Sequence, residues 1–483
     1  MHIATVFRIF GLLVMLFSLS MLPPLALALY YQDGGSIAFT FGFIFTLSAG
    51  FICWFICRHS HHELKSRDGF LVVAMFWLVL SIFGAIPLMI SQTPSLTFTD
   101  AVFETVSGFT TTGSSVLHEI DYLPQAISYY REQLQFLGGM GIVVLAVAVL
   151  PMLGIGGMQL YRAEVPGPAK DAKMTPRLTQ TAKALWYIYV GLVLLCAIFY
   201  WVAGMTLLDA IGESFATIST GGFSMHDASF AYYHSNTINL IGAFFMFLGG
   251  TNFTLHFIAM QKGTLVNYWR DPEFRLYVGI ASLTVMITMG MLMLYHVYNN
   301  SWDTFVQSLF NAISIMTTTG FLTAPFFTWP TFIPLFLMLI GMIGACAAST
   351  SGGIKLIRVL MLYKQGTREI QRLIHPNAVI AAKLGNQVLS DRLLQAVWGF
   401  MGIFIIVFIV IMLLLLATGL DYPTAIGALI SSMSNIGVGL GAVADSYEKI
   451  NSFAKWLLIF AMLIGRLEFF TLLVLLSPEF WRR

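Results

Sequence analysis

Charge is what this sequence has least of. Asp, Glu, Lys and Arg make up 10% of its 483 residues, against about 25% in a soluble domain. So low a share excludes an ordinary water-soluble globule. Cysteine is scarce as well: the four present sit in or beside apolar segments and supply no disulfide framework. No His/Asp/Glu set converges at one depth of the apolar runs, which argues against a membrane-embedded enzyme. A net charge of +2 leaves no electrostatic footprint for nucleic acid.

Hydrophobic residues, at 58%, fill the space that charge leaves. Apolar runs of about 20 residues recur along the chain, each long enough to cross a hydrocarbon core of roughly 30 Å. The sequence predicts ten spans, at 5–30, 36–57, 70–91, 132–155, 184–205, 237–260, 276–297, 332–363, 394–419 and 453–477. Arg8 and the run after it are read as an uncleaved helix rather than a signal peptide, because the run is too long and a second follows at once. Nearly all Lys and Arg fall in alternate loops; the other side holds only Arg131, Lys449 and Lys455. The positive-inside rule then places both termini and the basic loops in the cytoplasm.

Four of the outer connections repeat one pattern. They end on Gly113, Gly222, Gly320 and Gly437, which lie 109, 98 and 117 residues apart. Three places before each glycine stand Thr110, Ser219, Thr317 and Ser434; two places before stand Thr111, Thr220, Thr318 and Asn435. A stretch of about ten apolar or small residues precedes each, too short to span but long enough for a re-entrant helix. The predicted fold is an all-α polytopic membrane protein. It has four pseudo-symmetric helix–pore loop–helix repeats around one pore, plus an extra N-terminal helix pair. The boundaries read as 1–66 for the extra pair, then 67–170, 171–270, 271–385 and 386–483 for the repeats. A secondary transporter would show inverted repeats; these run in one orientation.

A dehydrating cation needs oxygen in place of its water shell, and backbone carbonyls from four strands can supply it. The predicted ligands are the carbonyls of Thr111, Thr112, Thr220, Gly221, Thr318, Thr319, Asn435 and Ile436, before the four anchoring glycines. Glycine permits the φ values such a turn demands. Glu104 and Glu213, both nine places before the glycine, are expected to brace the turns from behind. Asp100 and Asp209 are expected as N-caps of the short helices, with attraction of cations at the mouth as the alternative. Cys53, Cys57, His59, His61 and His62 crowd one helix end without ordered ligand spacing.

A gate is expected within the eighth span. It is interrupted from Gly344 to Gly353 by small residues, among them Ser349, Thr350 and Gly352. Such a stretch either packs helices closely or unwinds across the pore. Arg466 lies deep in the last span, where a charge costs at least about 2.5 kcal/mol. Carbonyls freed by unwinding at 344–353 are its expected partners; Glu468 faces elsewhere on a helix.

The chain resembles the TrkH-type subunits of bacterial K⁺ uptake systems, within the Trk/Ktr/HKT superfamily. The resemblance is carried by SGFTTTG ending at Gly113, GGMGIVVLAVAVLP at 138–151, GGMQLYRAEVPGP at 156–168, YWRDPEFR at 268–275 and GRLEFFTLLVLL at 465–476. It implies K⁺ as the transported ion, the bacterial inner membrane, and a homodimer with one pore per protomer. It also implies a cytoplasmic TrkA-type ring that binds nucleotide and gates the pore. No cofactor is expected on this chain itself, which lacks a glycine-rich phosphate loop. The fourth segment, Ser434-Asn435-Ile436-Gly437, departs from the threonine pattern. With one glycine per segment in place of TVGYG, the expectation is fewer ion sites and looser discrimination than in K⁺ channels.

Overall fold

The computed structural model describes residues 3–60, 66–144, 178–330, 332–378, 380–385, 387–467, 475 and 477–482. Helices dominate them. The only strands among the described residues are Lys383–Leu384 and Gln387–Val388, paired antiparallel. A helix satisfies its own backbone polar groups, which is what a chain surrounded by hydrocarbon requires. Large side chains such as Ile56, Val202 and Leu294 lie exposed on the outer surfaces of the long helices, where lipid is the solvent.

Six described helices are long and apolar enough to cross a membrane: Ile3–Tyr31, Ser36–Cys57, Leu71–Ile90, Lys183–Val202, Pro272–Leu294 and Asp391–Ala417. Within the described residues, two of the expected spans are broken. The one expected at 237–260 breaks into Asn236–Gly249 and Phe253–Lys262, which meet at 94°. The cause is local: Gly249-Gly250 closes the first helix, and the Asn252 side chain accepts from the Thr254 N–H at 2.8 Å to start the second. The one expected at 332–363 becomes Phe332–Ile343 and Leu356–Ile374, parted by the small-residue segment.

The fourth span starts earlier than expected, at Gln125. Arg131, assigned to an outer loop by sequence, therefore lies inside a helix and is buried. Residues 145–177, with most of the basic loop at 162–183 and the family segment at 156–168, lie outside the described residues. So do His61, His62 and Glu468, along with the last span beyond Leu467 up to 474. Among the described residues no group of three or more His, Cys, Asp or Glu could hold a metal ion.

Four short helices fit between the spans: Phe98–Phe109, Leu207–Ile218, Ser301–Met316 and Tyr422–Ser434. Their N-caps correct one expectation. Thr97 and Thr206, not Asp100 and Asp209, cap the first two, each side chain accepting the N–H of the aspartate three residues on. The aspartates sit inside the first turn, where a negative charge favours the helix dipole. Asp100 also accepts from Lys455 at 2.6 Å. The N-terminal pair reaches this layer through Phe17, which packs edge-on against Phe109 at 5.6 Å beside Trp77 at 5.7 Å.

Candidate functional site

Each short helix ends in the same turn. Thr111, Thr220, Thr318 and Asn435 all take left-handed backbone, with φ of 48°, 52°, 58° and 54°. Gly113, Gly222, Gly320 and Gly437 follow at φ of 85°, 82°, 85° and 97°. The intervening residue closes the turn onto its own helix. Thr112, Gly221, Thr319 and Ile436 donate their N–H groups to Ser107, Ala216, Ser314 and Ser431, each at 2.8 Å. A left-handed threonine is a genuine outlier for a β-branched residue, and three of the four turns contain one.

The turns also touch in sequence. A Cβ on Gly113 would strike the Gly221 carbonyl, one on Gly222 the Thr319 carbonyl, one on Gly320 the Ile436 carbonyl, and one on Gly437 the Thr112 carbonyl. The series closes on itself, so the four turns form a ring, each glycine leaving room for the next carbonyl. All eight predicted ligand residues are in this ring, and the non-glycine ones are buried. Beyond the glycines, on the side of the loops that follow the turns, opens a cavity of about 490 Å³ that reaches His226 and Asp445.

The two glutamates stand where they were expected. Glu104 accepts from the Ser115 hydroxyl at 3.0 Å and the Val116 N–H at 3.0 Å, and pairs with Arg131 at 2.7 Å. The Arg131 guanidinium lies over the Phe223 ring at 4.3 Å. Glu213 accepts from the Ser224 hydroxyl at 2.5 Å and the Met225 N–H at 3.1 Å. Both carboxylates thus hold the chain just beyond their own glycine. Asn311, at the same place in the third repeat, donates to the Thr323 hydroxyl at 2.8 Å.

The segment from Gly344 to Gly353 crosses beneath the ring. The Gly352 N–H donates to the Thr318 hydroxyl at 2.6 Å. The Thr350 hydroxyl donates to the Ile218 carbonyl at 2.9 Å and the Gly249 carbonyl at 3.1 Å. A Cβ on Gly352 would meet the Ser434 carbonyl. Gly344 and Gly353 take positive φ, 75° and 77°. Ser349 is buried, its hydroxyl donating to the Cys346 carbonyl at 2.6 Å. Arg466 donates to the Thr350 carbonyl at 2.8 Å and to the Thr111 hydroxyl. The unwound segment and the buried charge thus meet as the sequence suggested.

Sequence reading missed a second repeat, on the helices that follow the first three turns and on the last span. It reads QFLGG at 135–139, MFLGG at 246–250, MLIGM at 338–342 and MLIGR at 462–466. Its fourth residue is always glycine. A Cβ on Gly138, Gly249, Gly341 or Gly465 would meet the carbonyl of Phe109, Ile218, Ile315 or Met433 near the end of a short helix. Arg466 occupies the fifth place, where the first two copies carry Gly139 and Gly250.

Spanning helices broken by short ones, and a closed ring of buried carbonyl-bearing turns, define a multi-pass membrane protein with a polar centre. A family model described as TrkH, cation transport protein, matches residues 35–483. The chain is 52% identical to the Trk system potassium uptake protein TrkH of Escherichia coli and 51% identical to that of Vibrio parahaemolyticus. In both cases all of each chain is covered. Its fold matches the crystal structure of the potassium transporter TrkH from Vibrio parahaemolyticus with a TM-score of 0.93, at 48% identity over both whole chains. The chain belongs to the TrkH family of cation transport proteins.

Proposed function

We propose that this chain takes up K⁺ across a bacterial inner membrane through the centre of the four-turn ring. One observation carries the reading: four left-handed turns, strained at three threonines, close into a ring in which every glycine abuts the next carbonyl. Strain of this kind persists only where the surroundings hold it. The carbonyls of Thr111, Thr112, Thr220, Gly221, Thr318, Thr319, Asn435 and Ile436 replace the hydration shell of the ion. The short helices present the negative ends of their dipoles to it. The names and full-length identities of the relatives support K⁺ as the cargo.

The segment 344–353 and Arg466 form the gate, an unwound stretch across the path with a positive charge that opposes cations. The basic loops, with Lys262, Arg270, Arg275, Lys364 and Arg372, face the cytoplasm together with both termini. A TrkA-like nucleotide-binding ring docks on them, and the chain works as a homodimer. Nucleotide binds the ring and not this chain. The test is flux into liposomes holding the purified protein, with K⁺ and Na⁺ gradients varied separately. Gly113→Ser, and the same change at Gly222, Gly320 and Gly437, is expected to admit relatively more Na⁺. An unchanged K⁺/Na⁺ ratio in all four variants rules out the ring as the filter.

A further inference from the structure

The second turn lacks the internal support that two of the others have. In the first turn the Thr110 and Thr112 hydroxyls bond each other at 2.7 Å, and in the third Thr317 and Thr319 do so at 2.8 Å. The fourth turn uses the side chain of Asn435, whose amide donates to the Thr112 hydroxyl at 2.8 Å and the Met462 carbonyl at 3.1 Å. In the second turn the matching residues are Ser219 and Gly221, and Gly221 has no side chain to offer.

Gln135 fills that place from outside. It is fully buried on the helix Gln125–Val144, which follows the first turn. Its amide nitrogen donates to the Gly221 carbonyl at 2.7 Å, and its amide oxygen accepts the Phe223 N–H at 3.1 Å. The two contacts fix the orientation of the carboxamide, because the carbonyl can only accept and the N–H can only donate. One side chain thereby grips the backbone on both sides of Gly222.

Gly221 itself has no positive φ, so conformation does not demand a glycine there. Space does: the three atoms nearest a Cβ on Gly221 are all in the Gln135 side chain. The sequence shows the same exchange. Gln135 opens the first copy of the second repeat, and the other three copies open with Met246, Met338 and Met462. The single polar opener belongs to the helix that faces the single turn with glycine before its anchor.

We infer that Gln135 is a positioning residue for ion selectivity, replacing by a carboxamide clamp the threonine pair that the second turn lacks. The inference rests on the ring being the ion filter. By holding the Gly221 carbonyl on one lone pair and leaving the other free, it sets where one of the ring's oxygens stands.

The experiment measures K⁺/Na⁺ permeability ratios in proteoliposomes, total Rb⁺ flux, and thermal stability of the purified full-length chain. Gln135→Met, which copies the other three repeats, is expected to lower the ratio about fivefold, the worth of one net hydrogen bond of roughly 1 kcal/mol. Combining it with Ser219→Thr and Gly221→Thr rebuilds the pair seen in turns one and three, and should restore the ratio. Gly221→Ala should lower the ratio when Gln135 is present and be tolerated in the Gln135→Met background; this coupling stands as the test if the triple variant does not fold. A ratio unchanged by Gln135→Met overturns the inference. So does a ratio that falls in step with stability and is recovered neither by the triple variant nor in the coupling pair. The four glycine-to-serine variants measured alongside separate the two ideas: if all four also leave the ratio unchanged, the filter reading has failed; if any of them shifts it and Gln135→Met does not, only the role of Gln135 is overturned.

Discussion

The glycine turns draw their backbone hydrogen bonds from the short helices that lead into them, whereas the unwound segment at 344–353 draws most of its own from neighbours. Thr112, Gly221, Thr319 and Ile436 each reach back to a carbonyl of the preceding helix. In that segment, the Cys346 N–H goes to the Gly250 carbonyl at 3.1 Å and the Ala347 N–H to the Glu273 carboxylate at 2.7 Å. The Gly352 N–H goes to Thr318. A self-closed turn keeps its shape when the surroundings shift. A segment held mainly by bonds to other elements is coupled to their positions, which is the property the proposed gate needs.

The largest effect that would sharpen this contrast comes from Arg466. Arg466→Ala removes a charged donor from the Thr350 carbonyl, a type of hydrogen bond worth about 1.5–3 kcal/mol. Basal Rb⁺ uptake without any partner should rise roughly tenfold, with ion preference retained. Flux at or below wild type in a variant that elutes normally would make the segment packing rather than gate. Next comes the turn itself: Gly320→Ser should lower the K⁺/Na⁺ ratio without a matching rise in flux, and a rise in flux with selectivity intact would erase the difference between the two regions.

A smaller change probes the segment through its neighbour. Asn252→Ala removes the cap at the bend that presents the Gly249 and Gly250 carbonyls, and should cost about 1 kcal/mol of stability. Hydrogen exchange should quicken at 344–353 more than at the turns; equal acceleration in both would contradict the contrast.

The smallest effect is at the loops that follow the turns. His226 lies 2.6 Å from Asp121 and 3.7 Å from Asp209, with Glu213 and Asp227 nearby, and stacks on Tyr232 at 3.5 Å. Burial opposes its charge, but the hydrogen bonds to Asp209 and Asp121 overcome this and raise its pKa above the ordinary histidine value. The clasp therefore contributes fully below the ordinary value and is lost as pH rises through the raised one. Thermal melts should show that fall in wild type and not in His226→Gln; parallel pH profiles would remove the clasp.

Much of this was legible because the four turns need the same residue types at the same spacing. The left-handed position tolerates few residues, and the anchor tolerates only glycine, so the columns stood out. The bend at Gly249–Asn252 went unread although Gly-Gly-Thr-Asn is a helix stop followed by a cap, because hydropathy alone runs straight through it. The caps were misplaced by one turn, since Thr97 and Thr206 compete with aspartates three residues later and only geometry separates N-cap from first turn. Gln135 looked like any polar residue near a helix start; its meaning depends on Gly221, 86 residues away.

The closure of the ring also bears on how the protein is made. The last of its four contacts joins Gly437 to the first turn, and Asn435 and Thr112 are 323 residues apart in the chain. Three turns can enter the membrane and fold onto their own helices while the ribosome is still at work. The fourth side of the ring is then missing, and the polar edges of turns one and three face whatever occupies the gap. A chain without its fourth repeat therefore leaves the ring open on one side. On the proposed reading the ion path is therefore complete only once the final repeat has inserted.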